Sequence, residues 1–184
     1  MSNVNYSGIA TLSLDGEVVA TIKNRGTREL GVLITKALAG YNISTEVPKF
    51  FNIQINETTD SDGNPVWVNL LNRNLPFTGI TYTVADELTK TNYIGDLSLK
   101  CIGDLSLNCI IMSTDKLTPS VSENAKLRLC ILNSLGTILA EIIEDNTLTK
   151  LFNDIVEGTD CIVNWDMSFY NSPDTVETDR SYIR

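Results

Sequence analysis

Apolar positions recur along this chain with two different periods. Residues 8 to 23, GIATLSLDGEVVATIK, hold two apolar-rich runs on either side of Asp15-Gly16. An Asp-Gly pair tolerates the positive φ that a type I′ turn needs at both central positions, so the segment predicts a β-hairpin. The register set by that turn places Leu12 opposite Val19 and Ile9 opposite Ile22, on opposite faces. From Asn24 the period changes. Leu30, Leu33, Ile34, Ala37 and Leu38 recur at helical spacing and predict one apolar face. Thr27 is the expected N-cap and Gly40 the residue that stops the helix. Gly31 lies inside it, at a cost of about 1 kcal/mol relative to alanine.

Beyond Pro48 the period of two returns. Phe51, Ile53 and Ile55 alternate with Asn52, Gln54 and Asn56, the pattern of a half-buried strand. Residues 58 to 65 read as a polar loop. Strands are expected over Val66 to Leu71, Gly79 to Ala85 and Leu97 to Met112, the last of them broken. That region contains a tandem octapeptide, IGDLSLKC at 94 to 101 and IGDLSLNC at 102 to 109. Its even period keeps both copies in the same strand phase. Gly95-Asp96 and Gly103-Asp104 suit turns, or the second a bulge. Residues 114 to 124 read as a loop. A second hairpin follows, Ala125 to Asn133 and Thr137 to Ile143, around Ser134-Leu135-Gly136. A second helix is predicted from about Thr147, with Leu148, Leu151, Phe152, Ile155 and Val156 on one face and Gly158 as its stop. Last, Cys161, Val163, Trp165, Met167 and Phe169 alternate with polar or less apolar neighbours, a long strand with one apolar face.

The order hairpin, helix, strand thus occurs twice, a possible ββαβ echo at the two ends. The expected fold class is mainly β (α+β), a β-sandwich or barrel-like domain with two helices covering one end. Residues 1–172 are expected to form that single β-rich domain. Residues 173–184 are expected to be a tail, or an arm that docks on a neighbour through Tyr182 and Ile183.

Composition narrows the chemistry. The 184 residues carry a net charge of −9 and contain no histidine. The acidity and the scattered cations argue against nucleic acid as a partner. Without histidine, Ser-His-Asp and Cys-His catalysis and histidine-ligated metals are excluded. No apolar run is long enough for a membrane helix, and MSNVNYSG lacks the pattern of a secretory signal, so folding in the cytosol is expected. The four cysteines, Cys101, Cys109, Cys130 and Cys161, form no CxxC pair and sit in strand-like runs, which suits buried reduced thiols.

The remaining candidates are weak as chemistry. Asp60-Ser61-Asp62-Gly63-Asn64 has the oxygens of a cation loop but departs from the EF-hand pattern, since Leu71 stands where the bidentate acid belongs; a turn is the expected reading. Asp86-Glu87 and Glu141, Glu144 and Asp145 fall at element ends, beside turns and helix starts. The Gly-Thr pairs lack the spacing of a phosphate loop. No catalytic residue, metal site or cofactor is expected. Aromatic residues are expected mainly in the core; Phe77 in the loop NLPFTG and Trp67 are the candidate interaction residues, together with Tyr182 and Ile183.

Two passages, NRGTRELGVLITKALAG at 24 to 40 and EGTDCIVNWDMSFYN at 157 to 171, resemble segments of small β-rich virion structural proteins of tailed bacteriophages. The resemblance implies a non-catalytic capsid auxiliary, decoration or fibre-attachment protein, with a tail component as the alternative. It implies virion proteins, capsid or tail subunits, and further copies of itself as partners, a homo-oligomer, and a place in the virion after assembly in the host bacterial cytoplasm. A carbohydrate-binding module using loop aromatics and a carboxylate-dependent hydrolase are the competing classes.

Overall fold

A computed structural model of the chain describes residues 4–84, 101–117, 125–143, 148, 151–153, 155 and 159–171. The protein is mainly β. In chain order the elements are β1 (Val4–Leu14), β2 (Glu17–Gly26), α1 (Arg28–Leu38), β3 (Phe50–Thr59), β4 (Pro65–Asn69), β5 (Leu75–Pro76), β6 (Gly79–Val84), β7 (Cys101–Ile111), a 3₁₀ turn (Ser113–Asp115), β8 (Lys126–Leu132), β9 (Ile138–Ile143) and β10 (Cys161–Asn171). Positions 148, 151–153 and 155 are helical as well.

All the described strands belong to one antiparallel sheet in the order β4-β3-β8-β9-β2-β1-β10-β7-β6, with β5 beside β3. The sheet folds over at β2. Most of β2 pairs with β1, while only Arg25 and Gly26 reach across to Glu141 and Ala140 of β9. Two layers result, β2-β1-β10-β7-β6 and β9-β8-β3-β4, and their inner faces meet. Phe51 of β3 and Trp165 of β10 touch edge to face across the gap, with centroids 6.4 Å apart. On the opposite side the chain crosses from one layer to the other between β5 and β6, through Phe77 and Thr78 alone. The result is a sandwich-like fold joined by a shared strand on one side and by continuous chain on the other.

The repeated ββαβ order has a spatial counterpart. The first strand of each unit pairs with the last strand of the other: β1 with β10, and β8 with β3. The second strands, β2 and β9, meet at the centre. The two units therefore exchange their final strands.

Alternation places the core as expected. Phe51, Ile53 and Ile55 point inward, as do Val163, Trp165 and Met167, and Leu107, Cys109 and Ile111 complete the facing layer. The two helices pack against different parts of the sheet. The second helix buries Leu148, Leu151, Phe152 and Ile155 in the main core. α1 lies on the outer side, with Leu30 and Leu33 against Leu139, whose neighbours Ala140 and Ile142 face inward. Val156 and Gly158 fall outside the described residues.

Local registers differ from expectation in a few places. Asp15 and Gly16 do form the hairpin turn, with φ of 50° and 82°. A bulge beside Leu12 and Ser13 then leaves Val19 unpaired, so Leu12 faces Ala20 and Ile9 faces Lys23, one residue from the predicted partners. β3 continues through Thr59, and the loop shrinks to a turn. In the second octapeptide, Gly103 and Asp104 pair with Phe169 and Ser168 inside the sheet instead of turning, and a bulge next to them takes up Ile102. The first copy, apart from Cys101, lies outside the described residues.

Candidate functional site

An opening lies where α1 leaves the sheet. A cavity of about 580 Å³ is lined by Tyr6, Gly26, Thr27, Leu30, Gly31, Ile34 and Phe169. β1 brings Tyr6, β10 brings Phe169, and the two rings meet edge to face at 5.7 Å. The β2–α1 junction brings Gly26 and Thr27. A Cβ at Gly26 would stand 2.8 Å from Leu30 Cδ2, so a larger residue there would push the end of that side chain aside. α1 ends in a Schellman turn, with the Tyr41 N–H donating to the Lys36 carbonyl at 3.0 Å and Gly40 at φ 78°.

The polar groups of this wall are committed to the protein itself. The Tyr6 hydroxyl donates to Asn24 Oδ1, and the buried Asn24 amide in turn donates to the Asp166 carbonyl at 3.2 Å. Burial pushes the Tyr6 hydroxyl well above the ordinary tyrosine range, and the Trp165 indole acts more weakly in the opposite sense. The buried Trp165 Nε1 proton meets no acceptor at good hydrogen-bonding geometry. A tyrosine held neutral in this way is neither a nucleophile nor a base at neutral pH. Thr27 caps the helix with its backbone only. Its hydroxyl lies 2.6 Å from the Ile138 carbonyl oxygen and ties the helix start to β9. What the cavity offers a visitor is apolar: Leu30, Ile34 and the two rings.

A second feature crosses the outer face of the β9-β8-β3-β4 layer. Glu141 accepts from Arg25 at 2.8 Å and lies 3.6 Å from Arg128. Arg128 donates to Gln54, and Gln54 donates to Asn69 at 3.0 Å. The Arg128 guanidinium also lies over the Trp67 ring at 4.3 Å. A neighbouring cavity of about 320 Å³ is walled by Lys23, Asn24, Arg25, Glu141 and Ile142. Its single carboxylate is already shared by two arginines, so it carries no acid–base pair.

Of the interaction residues proposed from sequence, Trp67 sits on β4 with one face taken by Arg128. Phe77, in the two-residue step between β5 and β6, is half-buried: it packs against the main core and stays partly exposed. Tyr182 and Ile183 lie outside the described residues. The Asp60 loop closes on itself. Asp60 Oδ1 accepts the backbone N–H of Asn64 at 2.8 Å and of Asp62 at 2.9 Å, and Gly63 takes φ 81°. The Asn64 contact is the main reason why the Asp60 carboxyl is held below its ordinary range. Among the described residues no group of three or more acidic, cysteine or histidine side chains is placed to hold a metal ion. Glu144, Asp145, Asp86 and Glu87 lie outside them. The sequence reading missed the lining residues Tyr6, Ile34 and Phe169. Gly31, a glycine inside a helix, was the one visible sign.

Comparison with known protein families, with curated proteins and with solved structures finds no match to this chain.

Proposed function

We propose that this protein is a non-catalytic structural subunit that assembles through protein–protein contacts. On the resemblance of residues 24 to 40 and 157 to 171, it belongs to a tailed-phage virion as a capsid auxiliary, decoration or fibre-attachment protein. The observation that carries the assembly reading is the pair of outer strands. β4 and β6 each have a ladder partner on one side only among the described residues. Both present apolar side chains to solvent: Val66 and Val68 on β4, and Ile80 and Tyr82 on β6, where Tyr82 is 79% exposed. Edge strands that avoid association carry charge or proline instead. Proline is present here only as Pro65 at the start of β4, where it blocks no inner ladder position.

Light scattering across a concentration range tests the assembly reading. The expected result is a defined oligomer, or mass rising with concentration, which Tyr82→Lys and Val68→Lys reduce. A strict monomer over the whole range, or an oligomer indifferent to both substitutions, sinks it. Co-sedimentation with capsid or tail particles tests the virion placement, and retention in the supernatant with every particle fraction counts against it.

A further inference from the structure

Three strands of one layer break their polar alternation at the same level. On β2, β10 and β7 the outward positions are mostly polar, yet Val18, Ile162 and Ile110 are apolar and exposed, Val18 at 62% and Ile162 at 47%. They lie far apart in sequence, and the ladders bring them into one row: Val18 opposite Ser13, Ser13 opposite Ile162, and Ile162 opposite Ile110. Met112, two positions past Ile110, is exposed as well and extends the row at the β7 end. The neighbours Leu12, Val163, Cys109 and Ile111 point into the core, so the row stands on the outer face. Exposed apolar side chains that fall singly mean little, whereas a contiguous row of them marks a contact surface.

The face is graded around that row. One rank further along the strands come Thr21, Thr11, Asn164 and Asn108, all uncharged. The Asn164 amide donates to Asn108 Oδ1 at 2.6 Å and to Ser106 Oγ at 3.2 Å, so covering it leaves that donor met. Charge enters at the next rank, with Lys23 and Asp166 on either side of Ile9. Apolar contact that passes through neutral polar groups to charge is the anatomy of core and rim in a protein interface. The four strands β2, β1, β10 and β7 are 10 or 11 residues long. At about 4.8 Å between strands and about 3.3 Å per residue they present roughly 700 Å² in projection, close to the ~800 Å² that each partner of a standard interface contributes.

We infer that this face packs on the same face of a second copy, turned about an axis that runs along the strands between β1 and β10. That operation lays each rank on its own counterpart, apolar on apolar and neutral on neutral, the isologous contact of a twofold pair. It also reverses the row. Val18 then meets Ile110 of the second copy, and the bulky Ile162 meets the small Ser13. Asp15 and Glu17 flank Val18 at the β2 end, and Lys116 follows Met112 at the β7 end, so the reversal brings unlike charges together. A foreign partner would have to supply all of these matches, and a second copy already has them. This contact rests, like the assembly reading, on copies of the chain associating, and it uses a different surface from the outer strands β4 and β6.

Light scattering across a concentration range reads the contact, with near-UV circular dichroism as the check on folding. Ile162→Lys and Ile110→Lys are expected to weaken self-association by about tenfold or more while keeping the native spectrum. Association that falls with Tyr82→Lys and Val68→Lys but not with these two variants overturns the inference and leaves the edge strands as the contact. The reverse pattern supports the inference and removes the edge strands. A monomer over the whole range overturns both. The orientation has its own test, in a Cys101→Ser background where the other three thiols are buried. Val18→Cys/Ile110→Cys and Val18→Cys alone are treated with a short bis-maleimide reagent. Within one chain the two positions are three strands apart, about 14 Å, beyond the reach of such a reagent. A covalent dimer is expected from the double variant and not from the single one. Dimer from both alike, or from neither, overturns the inference.

Discussion

Two side chains tie distant strands through buried or half-buried charge. Arg128 joins β8 to β3 through Gln54, to β9 through Glu141 and to β4 by lying on Trp67. Lysine has the charge but neither the planar fork nor the stacking surface. Arg128→Lys is expected to lower stability by about 1–2 kcal/mol, read as a shift in the urea midpoint; an unchanged midpoint shows that charge alone suffices. Asp115 is almost fully buried after β7. It accepts from Arg73 at 2.6 Å and from the Met112 N–H at 3.1 Å, while its carbonyl accepts the Asn72 N–H. Asp115→Ala removes both side-chain bonds and leaves a donor unmet, an expected loss of about 2–3 kcal/mol. The thiols belong to the same scale. Burial pushes Cys161 up to about 11 and Cys130 up to about 12, and Cys109 is raised for the same reason. In the unfolded chain a thiol ionises near 8.5. The unfolded state then binds fewer protons than the folded one, so stability is intact below about pH 8.5 and falls above it, by up to about 1.4 kcal/mol per pH unit for each thiol, until the folded-state thiols also ionise. Denaturant midpoints measured from pH 7 to 10 are expected to decline from about 8.5 upward. A flat profile shows that the thiols are already ionised, or already exposed, in the folded protein.

At the scale of the element, α1 is the instructive case. Its five apolar positions were legible at helical spacing, and so were its stops, since Gly40 sits in the left-handed conformation and closes a Schellman turn. Spacing gives the direction of the stripe but not how far a neighbour extends along it. β9 is short and covers only Leu30 and Leu33, through Leu139. Leu33→Ala is therefore expected to cost about 2–4 kcal/mol, and Leu38→Ala no more than about 0.5, in thermal or urea unfolding. Similar costs at both positions indicate that something covers Leu38. The hairpin at Asp15-Gly16 shows the complementary limit. Its turn was readable from two residues, yet a single bulge moved every later pair by one. A bulge costs little and leaves no mark in an Ala/Val/Thr run, so register had to wait for the partner strand.

Over the whole molecule, the exchange of final strands between the two ββαβ units governs folding. β1 pairs with β10, from Leu14 with Cys161, 147 residues apart along the chain, to Val4 with Asn171, further apart still. Neither unit holds its own last strand in its own layer, so neither is expected to fold alone. Peptides covering 1–59 and 60–184 are expected to lack near-UV circular dichroism separately and to regain it when mixed. Native-like signal from either one alone would show that the exchange is dispensable. Non-local pairing of this kind also predicts slow folding, milliseconds to seconds, in stopped-flow refolding.

The sequence by itself determined the element types, most element positions, the inward faces of β3 and β10, and the repeated ββαβ order. These follow from local causes: the period of side-chain direction, turn residues with positive φ, and the burial of one face. Absence of histidine likewise settled which chemistries were unavailable before any contact was seen. Only the tertiary structure decided the rest. Which strands pair, that β2 serves both layers, that the second helix packs on the main core while α1 packs on Leu139, and that Tyr6, Ile34 and Phe169 surround one opening all depend on contacts between residues far apart in sequence. Phe77 makes the point in a single residue: a polar, proline-containing loop pattern predicted exposure, and the short step between two layers packs the residue against the core and leaves it half-buried. Local pattern constrains what a segment can bury, whereas the choice of what buries it belongs to the assembled chain.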